Sequence, residues 1–116
     1  PYTVTRSWQI GPEGYGAEIL IDRTRNSAAD LRALATELHD EHRGNAVVFI
    51  SVFDDARAAA TAGAGKLLDT PVFTRPELVR YDQHFLLTYS KNPASRLDEA
   101  DLAPRGLNGE HIKVSF

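Results

Sequence analysis

Two adjacent carboxylates, Asp54 and Asp55, are the residues whose types and spacing point most directly to chemistry. They follow a run of large apolar residues, so they would lie at the carboxyl end of a buried strand, where open α/β sheets bind ligands. Carboxylate oxygens also suit a divalent cation such as Mg²⁺. The alternative is structural: one of the pair caps a following helix, which stabilises it by about 1 kcal/mol. We favour the cap, because neighbouring carboxylates alone are weak evidence for a metal.

Two histidines form a second candidate site. His84 and His111 fall on the predicted polar faces of two strands, together with Thr88 and Lys113. If the two strands are neighbours, the four side chains share one patch, in which a histidine beside a carboxylate could act as a general base. The alternative is that both histidines are exposed on an open sheet face. The candidate binding residues are Asp54, Asp55, His84, Thr88, His111 and Lys113.

Other familiar motifs are incomplete in this chain. The segment 63–66, Gly-Ala-Gly-Lys, resembles the end of a phosphate-binding loop, but Ala60 replaces the first glycine and Leu67 replaces the Ser or Thr that would hold Mg²⁺. The serines have no Gly-x-Ser-x-Gly context. His39 and His42 suit a helix end, where positive charge is favourable. The sequence therefore predicts no catalytic residue, no metal ligand set and no cofactor.

Composition excludes several classes of protein. The 116 residues are enough for one domain, which we place at 1–116. The formal net charge is -3 and the 13 basic residues are scattered, which argues against nucleic-acid binding. No apolar run approaches the roughly 20 residues that cross a bilayer. The absence of cysteine excludes disulfides, thiolate catalysis and cysteine-bound zinc.

The start of the chain and its arginine content bear on its origin. Because the chain begins at Pro1 and contains no Met, we expect a processed or trimmed form of a longer product. If an export signal or membrane anchor precedes it, the domain would lie outside the cytoplasm. The excess of arginine over lysine, together with abundant alanine, is typical of a GC-rich bacterial genome.

The strand at 46–53 is the central element of the predicted fold, since its β-branched and aromatic residues indicate burial on both faces. The strands predicted at 2–10 and 15–22 form an antiparallel hairpin. In the strand at 2–10 we expect Tyr2, Val4, Trp8 and Ile10 on one apolar face, with Arg6 as the polar exception on that face. Alternating strands are predicted at 2–10, 15–22, 83–90 and 110–116.

Start signals mark the predicted helices. Ser27 and Asp30 resemble a capping box for a helix at 27–43, along which apolar residues form one stripe. A second helix follows the Asp54–Asp55 pair and ends between 62 and 66. A third begins with a capping box at Thr74 and ends near Tyr81. Residues 91–109 are expected to form a long loop, in which Ser95 and Asp98 cap one helical turn through Leu102.

This order of elements predicts an α+β two-layer sandwich. A mixed five-stranded sheet (β-β-α-β-α-β-β) would carry helices mainly on one face. The strand at 46–53 would lie near its middle, joined to the preceding strand by a right-handed crossover if the two are parallel. Because four strands have a polar alternate face, much of the other sheet face would be open or covered only by loops.

Residues 49–60 (Phe-Ile-Ser-Val-Phe-Asp-Asp-Ala-Arg-Ala-Ala-Ala) and 81–92 (Tyr-Asp-Gln-His-Phe-Leu-Leu-Thr-Tyr-Ser-Lys-Asn) resemble a group of small uncharacterised bacterial domains. In that group a strand ending in Phe-Asp-Asp precedes an Ala-rich helix, and an aromatic strand ending near Lys-Asn precedes a closing strand like Ile-Lys-Val-Ser-Phe. The resemblance covers most of 14–116. It implies an α+β domain without known catalytic residues, often located beyond a membrane anchor or export signal, and it transfers no site.

The absence of a convergent acid, base and nucleophile favours a non-enzymatic binding or protein-interaction module with an unknown protein or small-molecule partner. The alternative is a small metal-assisted hydrolase that uses Asp54, Asp55 and His84. A third hypothesis is a homo-oligomer whose open sheet face or terminal edge strand is the interface.

Overall fold

The structure, a computed structural model, describes residues 2–67 and 73–116, with the backbone alone at 63–67. The strands are β1 (Tyr2–Ile10), β2 (Gly14–Ile21), β3 (Val47–Phe53), β4 (Phe85–Asn92), β5 (Leu97–Leu102) and β6 (Ile112–Ser115). The helices are α1 (Ala28–Glu41), α2 (Ala56–Leu67) and α3 (Arg75–His84), with 3₁₀ turns at Arg23–Arg25 and Pro93–Ser95. The fold is therefore α+β.

The strands form one mixed sheet in the order β1-β2-β3-β4-β5-β6. β2 and β3 are parallel, and each of the other neighbouring pairs is antiparallel. The prediction that residues 46–53 form an interior strand is confirmed, because β3 lies between β2 and β4. The parallel pair follows from the α1 crossover, and it brings the carboxyl ends of β2 and β3 to the same edge of the sheet.

The first helix and the core beneath it follow the sequence prediction. The Ser27 hydroxyl accepts a hydrogen bond from the Asp30 N–H at 3.1 Å, which caps α1. Leu31, Ala35 and Leu38 recur at the helical period and are buried. They pack on one face of the sheet, against side chains from four strands: Ala17, Ile19, Ile21, Val48, Ile50, Val52, Leu86, Leu87, Tyr89, Ala100 and Leu102.

The other two helices lie against the opposite face of the sheet. Phe53 alternates with Val52, which faces α1, so Phe53 points away from that helix. It packs instead with Ala58 of α2, with Tyr81 of α3 and with Phe85. The prediction of helices mainly on one face is therefore wrong for α2 and α3, which cover the sheet near the carboxyl end of β3.

Within the described residues the sheet has six strands rather than the predicted five, because Leu97–Leu102 is a strand and not a helical turn. Its sequence, Leu-Asp-Glu-Ala-Asp-Leu, contains good helix formers, but β5 pairs with β4 along its whole length and also with β6. Together with this pairing, the burial of Ala100 and Leu102 under α1 offsets the low strand propensity of the segment. Tertiary contacts thus override local propensity.

The boundary between α3 and β4 also differs from the prediction. The Thr74–Glu77 capping box is present, but the helix runs on to His84 instead of ending near Tyr81. His84 is therefore a helix residue, and the strand begins at Phe85. No helix in the described ranges is long and apolar enough to cross a membrane.

Candidate functional site

Asp54 and Asp55 lie at the edge where the parallel strands β2 and β3 end, and both are buried, at 6% and 7% exposure. The Asp54 N–H donates to the His84 carbonyl, which joins the end of β3 to the end of α3. Asp55 caps α2, since its Oδ2 accepts a hydrogen bond from the Ala58 N–H at 3.0 Å. The predicted capping role is therefore confirmed for Asp55.

Asp54 and His84, which the sequence analysis grouped in the hydrolase hypothesis, are in direct contact. The Nδ1 atom of His84 lies 2.7 Å from Asp54 Oδ1, and Asn26 donates to Asp54 Oδ2 at 2.9 Å. Because a carboxylate only accepts, His84 Nδ1 carries the proton. A buried carboxylate that orients an imidazole in this way is one component of a general-base site.

Asp55 has different partners from Asp54. Its Oδ1 accepts hydrogen bonds from Arg23 at 2.6 Å and from Arg80 at 3.1 Å. Burial raises the pKa of Asp55, but the hydrogen bonds from Ala58, Arg80 and Arg23 outweigh burial and hold that pKa below its ordinary value. Asp55 is thus an ion-paired helix cap. Within residues 2–67 and 73–116, no three acidic or histidine side chains are grouped so that they could hold a metal ion.

The other predicted site residues lie around Asp101, which the sequence analysis did not select. Thr88, Asp101 and Lys113 are cross-strand neighbours on β4, β5 and β6, so their side chains share one face. His111 Nδ1 lies 2.7 Å from Asp101 Oδ2. Thr88, His111 and Lys113 therefore surround Asp101, whereas His84 is bound to Asp54. The sequence analysis missed Asp101 because it predicted a helical turn there. The alternation of Glu99 and Asp101 with Ala100 and Leu102, which is typical of a strand, was the available signal.

Both ring nitrogens of His111 face acceptors. In addition to the Asp101 contact, Nε2 lies 2.7 Å from the Leu107 carbonyl oxygen. Both contacts are hydrogen bonds only when both nitrogens are protonated. The hydrogen bond to Leu107, followed by that to Asp101, raises the pKa of His111 above its ordinary value of 6.5. Asp101 Oδ1 is buried and has no hydrogen-bond partner among the described residues.

The cross-strand register extends this patch over the whole sheet. Glu18, Ser51 and Thr88 are successive partners on β2, β3 and β4, and Arg6 of β1 pairs with Glu18. This face is opposite α1, because the neighbours of Glu18 on β2, Ala17 and Ile19, are in the α1 core. We call this line of side chains the polar row: Arg6, Glu18, Ser51, Thr88, Asp101 and Lys113.

A bulge in β1 separates Val4 from Trp8, which the sequence analysis placed on one face. The register of β1 against β2 shifts between Val4 and Arg6, so Thr5 is an extra residue. One extra residue reverses the faces of the strand beyond it. Val4 therefore shares the α1 face with Ile19, whereas Arg6 and Trp8 lie on the face of Glu18. The prediction of Val4 and Trp8 on one face is wrong for this reason.

Glu18 lies in a cavity that the sequence analysis missed. Its side chain is 3% exposed, and Oε2 accepts a hydrogen bond from Arg6 Nε at 3.1 Å. The guanidinium carbon of Arg6 lies 4.5 Å from the centre of the Trp8 ring. The Glu18 cavity has a volume of about 160 Å³ and is lined by Trp8, Glu18, Phe49, Ser51, Phe53, Ala62, Tyr81 and Phe85.

No family model, curated protein or solved structure matches the chain. The resemblance to small bacterial domains therefore stays a prediction, and the function must be argued from the geometry of the molecule.

Proposed function

We propose that the protein is a non-enzymatic binding module, and that its binding site is the sheet face opposite α1, centred on the Glu18 cavity. The observation that carries this proposal is the burial of the Glu18 carboxylate in a cavity lined by aromatic side chains. Binding sites commonly combine apolar walls with a few fixed polar groups that orient the ligand. The rest of the polar row extends this surface toward Asp101 and Lys113.

Exposed groups on this face are suited to contacts with a partner. Phe49 is 39% exposed although it belongs to an interior strand, and Lys113 is exposed on β6. The face therefore offers an aromatic contact beside the cavity and charged groups farther along the row. Interfaces commonly combine an aromatic centre with a polar rim in this way.

The metal-assisted hydrolase hypothesis receives less support from the geometry. Both oxygens of Asp55 are engaged by Arg23, Arg80 and the Ala58 N–H, and a cation would have to displace these donors. Asp54 and His84 do form a carboxylate–imidazole pair. A reaction would also need a group for this pair to deprotonate, and the described contacts of His84 include no such group.

A ligand screen by two-dimensional NMR tests the proposal. We expect bound ligands to shift the backbone amides of Gly16, Glu18 and Ser51, and the Ser51→Leu variant to lose this response because leucine fills the cavity. Arg32→Ala, on the exposed side of α1, is the matched control and should behave as the wild type. Ligands whose shifts map elsewhere and persist in Ser51→Leu would refute the site, and turnover of a bound ligand would refute the non-enzymatic role.

A further inference from the structure

The described residues use only part of the hydrogen-bonding capacity of the Glu18 carboxylate. Arg6 bonds through Nε to Oε2, and no other hydrogen bond links this carboxylate to the described residues. Oε1 therefore has no partner among the described residues, and Glu18 is one of the residues that line the cavity. A carboxylate oxygen at the wall of a cavity accepts hydrogen bonds most strongly from a charged donor, because such bonds are about twice as strong as neutral ones.

The cavity walls favour the same sign of charge. Aromatic rings carry negative potential on their faces, so they attract cations at short range. Trp8 already contacts one cation, the Arg6 guanidinium, at 4.5 Å. Burial, followed by the negative charges of Glu18 and Asp82, raises the pKa of Tyr81, so its hydroxyl stays neutral in the wall. An anionic ligand would meet both the Glu18 charge and these ring faces.

Arg6 shows the kind of group that pairs with the Glu18 carboxylate, and it bonds to only one of the two oxygens. Its side chain is 29% exposed, and its contact with Glu18 uses one nitrogen rather than a bidentate pair. A ligand cation at Oε1 would share the carboxylate with Arg6. The Ser51 side chain lines the same cavity and offers a hydroxyl to the ligand.

We propose that the Glu18 cavity binds an organic cation, an alkylammonium or guanidinium group that pairs with Glu18 Oε1 and lies against the aromatic walls. This inference rests on the proposed binding function and names the chemistry of its ligand. The group could belong to a free amine or to a lysine or arginine side chain, which share this chemistry.

Titration of ¹⁵N-labelled protein with butylammonium and with methylguanidinium, at constant ionic strength, tests the ligand class. We expect saturable shifts of the Gly16, Glu18 and Ser51 amides with both cations and none with butanol, the neutral counterpart of butylammonium. Glu18→Gln keeps a partner for Arg6 but removes the charge, so it should weaken binding at least about tenfold. Ser51→Leu should abolish binding without touching the ion pair, and Arg32→Ala should leave binding unchanged.

A further titration with capped lysine and capped arginine distinguishes the sources. Tighter binding of the capped residues than of the bare cations supports a side-chain ligand, and equal or weaker binding supports a free amine.

Equal responses to butanol and butylammonium, retained in Glu18→Gln, would overturn the cation proposal but keep the binding face. If these cations fail while other ligands still bind in a manner sensitive to Ser51→Leu, the cation proposal alone is wrong. If the Ser51→Leu change weakens the binding of no ligand, the proposed function fails as well.

Discussion

The edge where β2 and β3 end and the sheet face opposite α1 both contain buried carboxylates, but they use them differently. At the edge, all four carboxylate oxygens of Asp54 and Asp55 accept hydrogen bonds from the chain itself. On the face and within the described residues, Asp101 Oδ1 has no partner and Glu18 is bonded through Oε2 alone. The paired aspartates are the more conspicuous feature of the sequence, yet the less conspicuous acidic residues keep oxygens for a ligand.

This difference shows that unused hydrogen-bonding capacity, rather than proximity of acidic residues, marks a candidate site. Asp55 is held by two arginines and by the start of α2, so its charge stabilises the fold. Glu18 lies at a cavity, where its charge can act on a molecule from outside.

The largest effect is expected from Asp55→Ala. This change removes the cap of α2 and the shared partner of Arg23 and Arg80, which are 61% and 41% exposed and can regain water. We expect a loss of about 2–4 kcal/mol in the free energy of unfolding, measured by chemical denaturation. Asp40→Ala, which removes an exposed pair with Arg43, is the control and should cost less than about 1 kcal/mol. Similar losses in the two variants would contradict the structural role of Asp55.

The Asp54–His84 contact should have an intermediate effect. A double-mutant cycle with Asp54→Ala and His84→Ala should give a coupling energy of about 1.5 kcal/mol, because the bond involves a buried carboxylate. The matched cycle with Glu99 and Lys113, 3.9 Å apart at an exposed site, should give about 0.5 kcal/mol or less. Equal coupling energies in the two cycles would mean that the Asp54–His84 contact is no stronger than the exposed ion pair on the sheet face.

The smallest effect is expected from His111, whose contribution to stability depends on pH in the opposite sense to that of Asp55. The folded pKa of His111 is raised, so its contribution to stability is complete below its unfolded value of about 6.5 and is lost as pH rises through the folded pKa. The folded pKa of Asp55 is lowered, so its contribution is present above its unfolded value of about 3.9 and is lost as pH falls through the folded pKa.

Denaturation curves of the wild type and of His111→Gln measure the first of these contributions. The stability difference between them should be largest in mildly acidic buffer and should shrink in alkaline buffer. The wild type and Asp55→Ala should converge instead in strong acid. A constant difference between wild type and His111→Gln across the range would show that His111 is not doubly protonated in the folded protein.

Several elements were predictable because their signals are local. The Ser27 and Thr74 caps depend on residues three positions away, and the buried stripe of α1 depends on the helical period. The run at 46–53 contains enough apolar surface to require an interior strand wherever its neighbours lie. These features involve short stretches of chain, and they were predicted correctly.

The sites were less predictable because they depend on distant partners. Nothing near Asp54 in the chain shows that His84 ends a helix beside it. Likewise, β5 forms because of its pairing with β4 and β6, against its own helical composition. This is why Asp101 was missed while Thr88, His111 and Lys113 were named.

The sequence by itself determined the helix starts, the central strand and the amphipathic strands around it, since these follow from interactions within a few residues. The tertiary structure alone decided which polar side chains meet. The one-residue bulge at Thr5 turns Arg6 and Trp8 toward Glu18, and the register of β2, β3 and β4 aligns Glu18, Ser51 and Thr88. Register and face are set by contacts between strands far apart in the chain, so local patterns could not predict the Glu18 cavity.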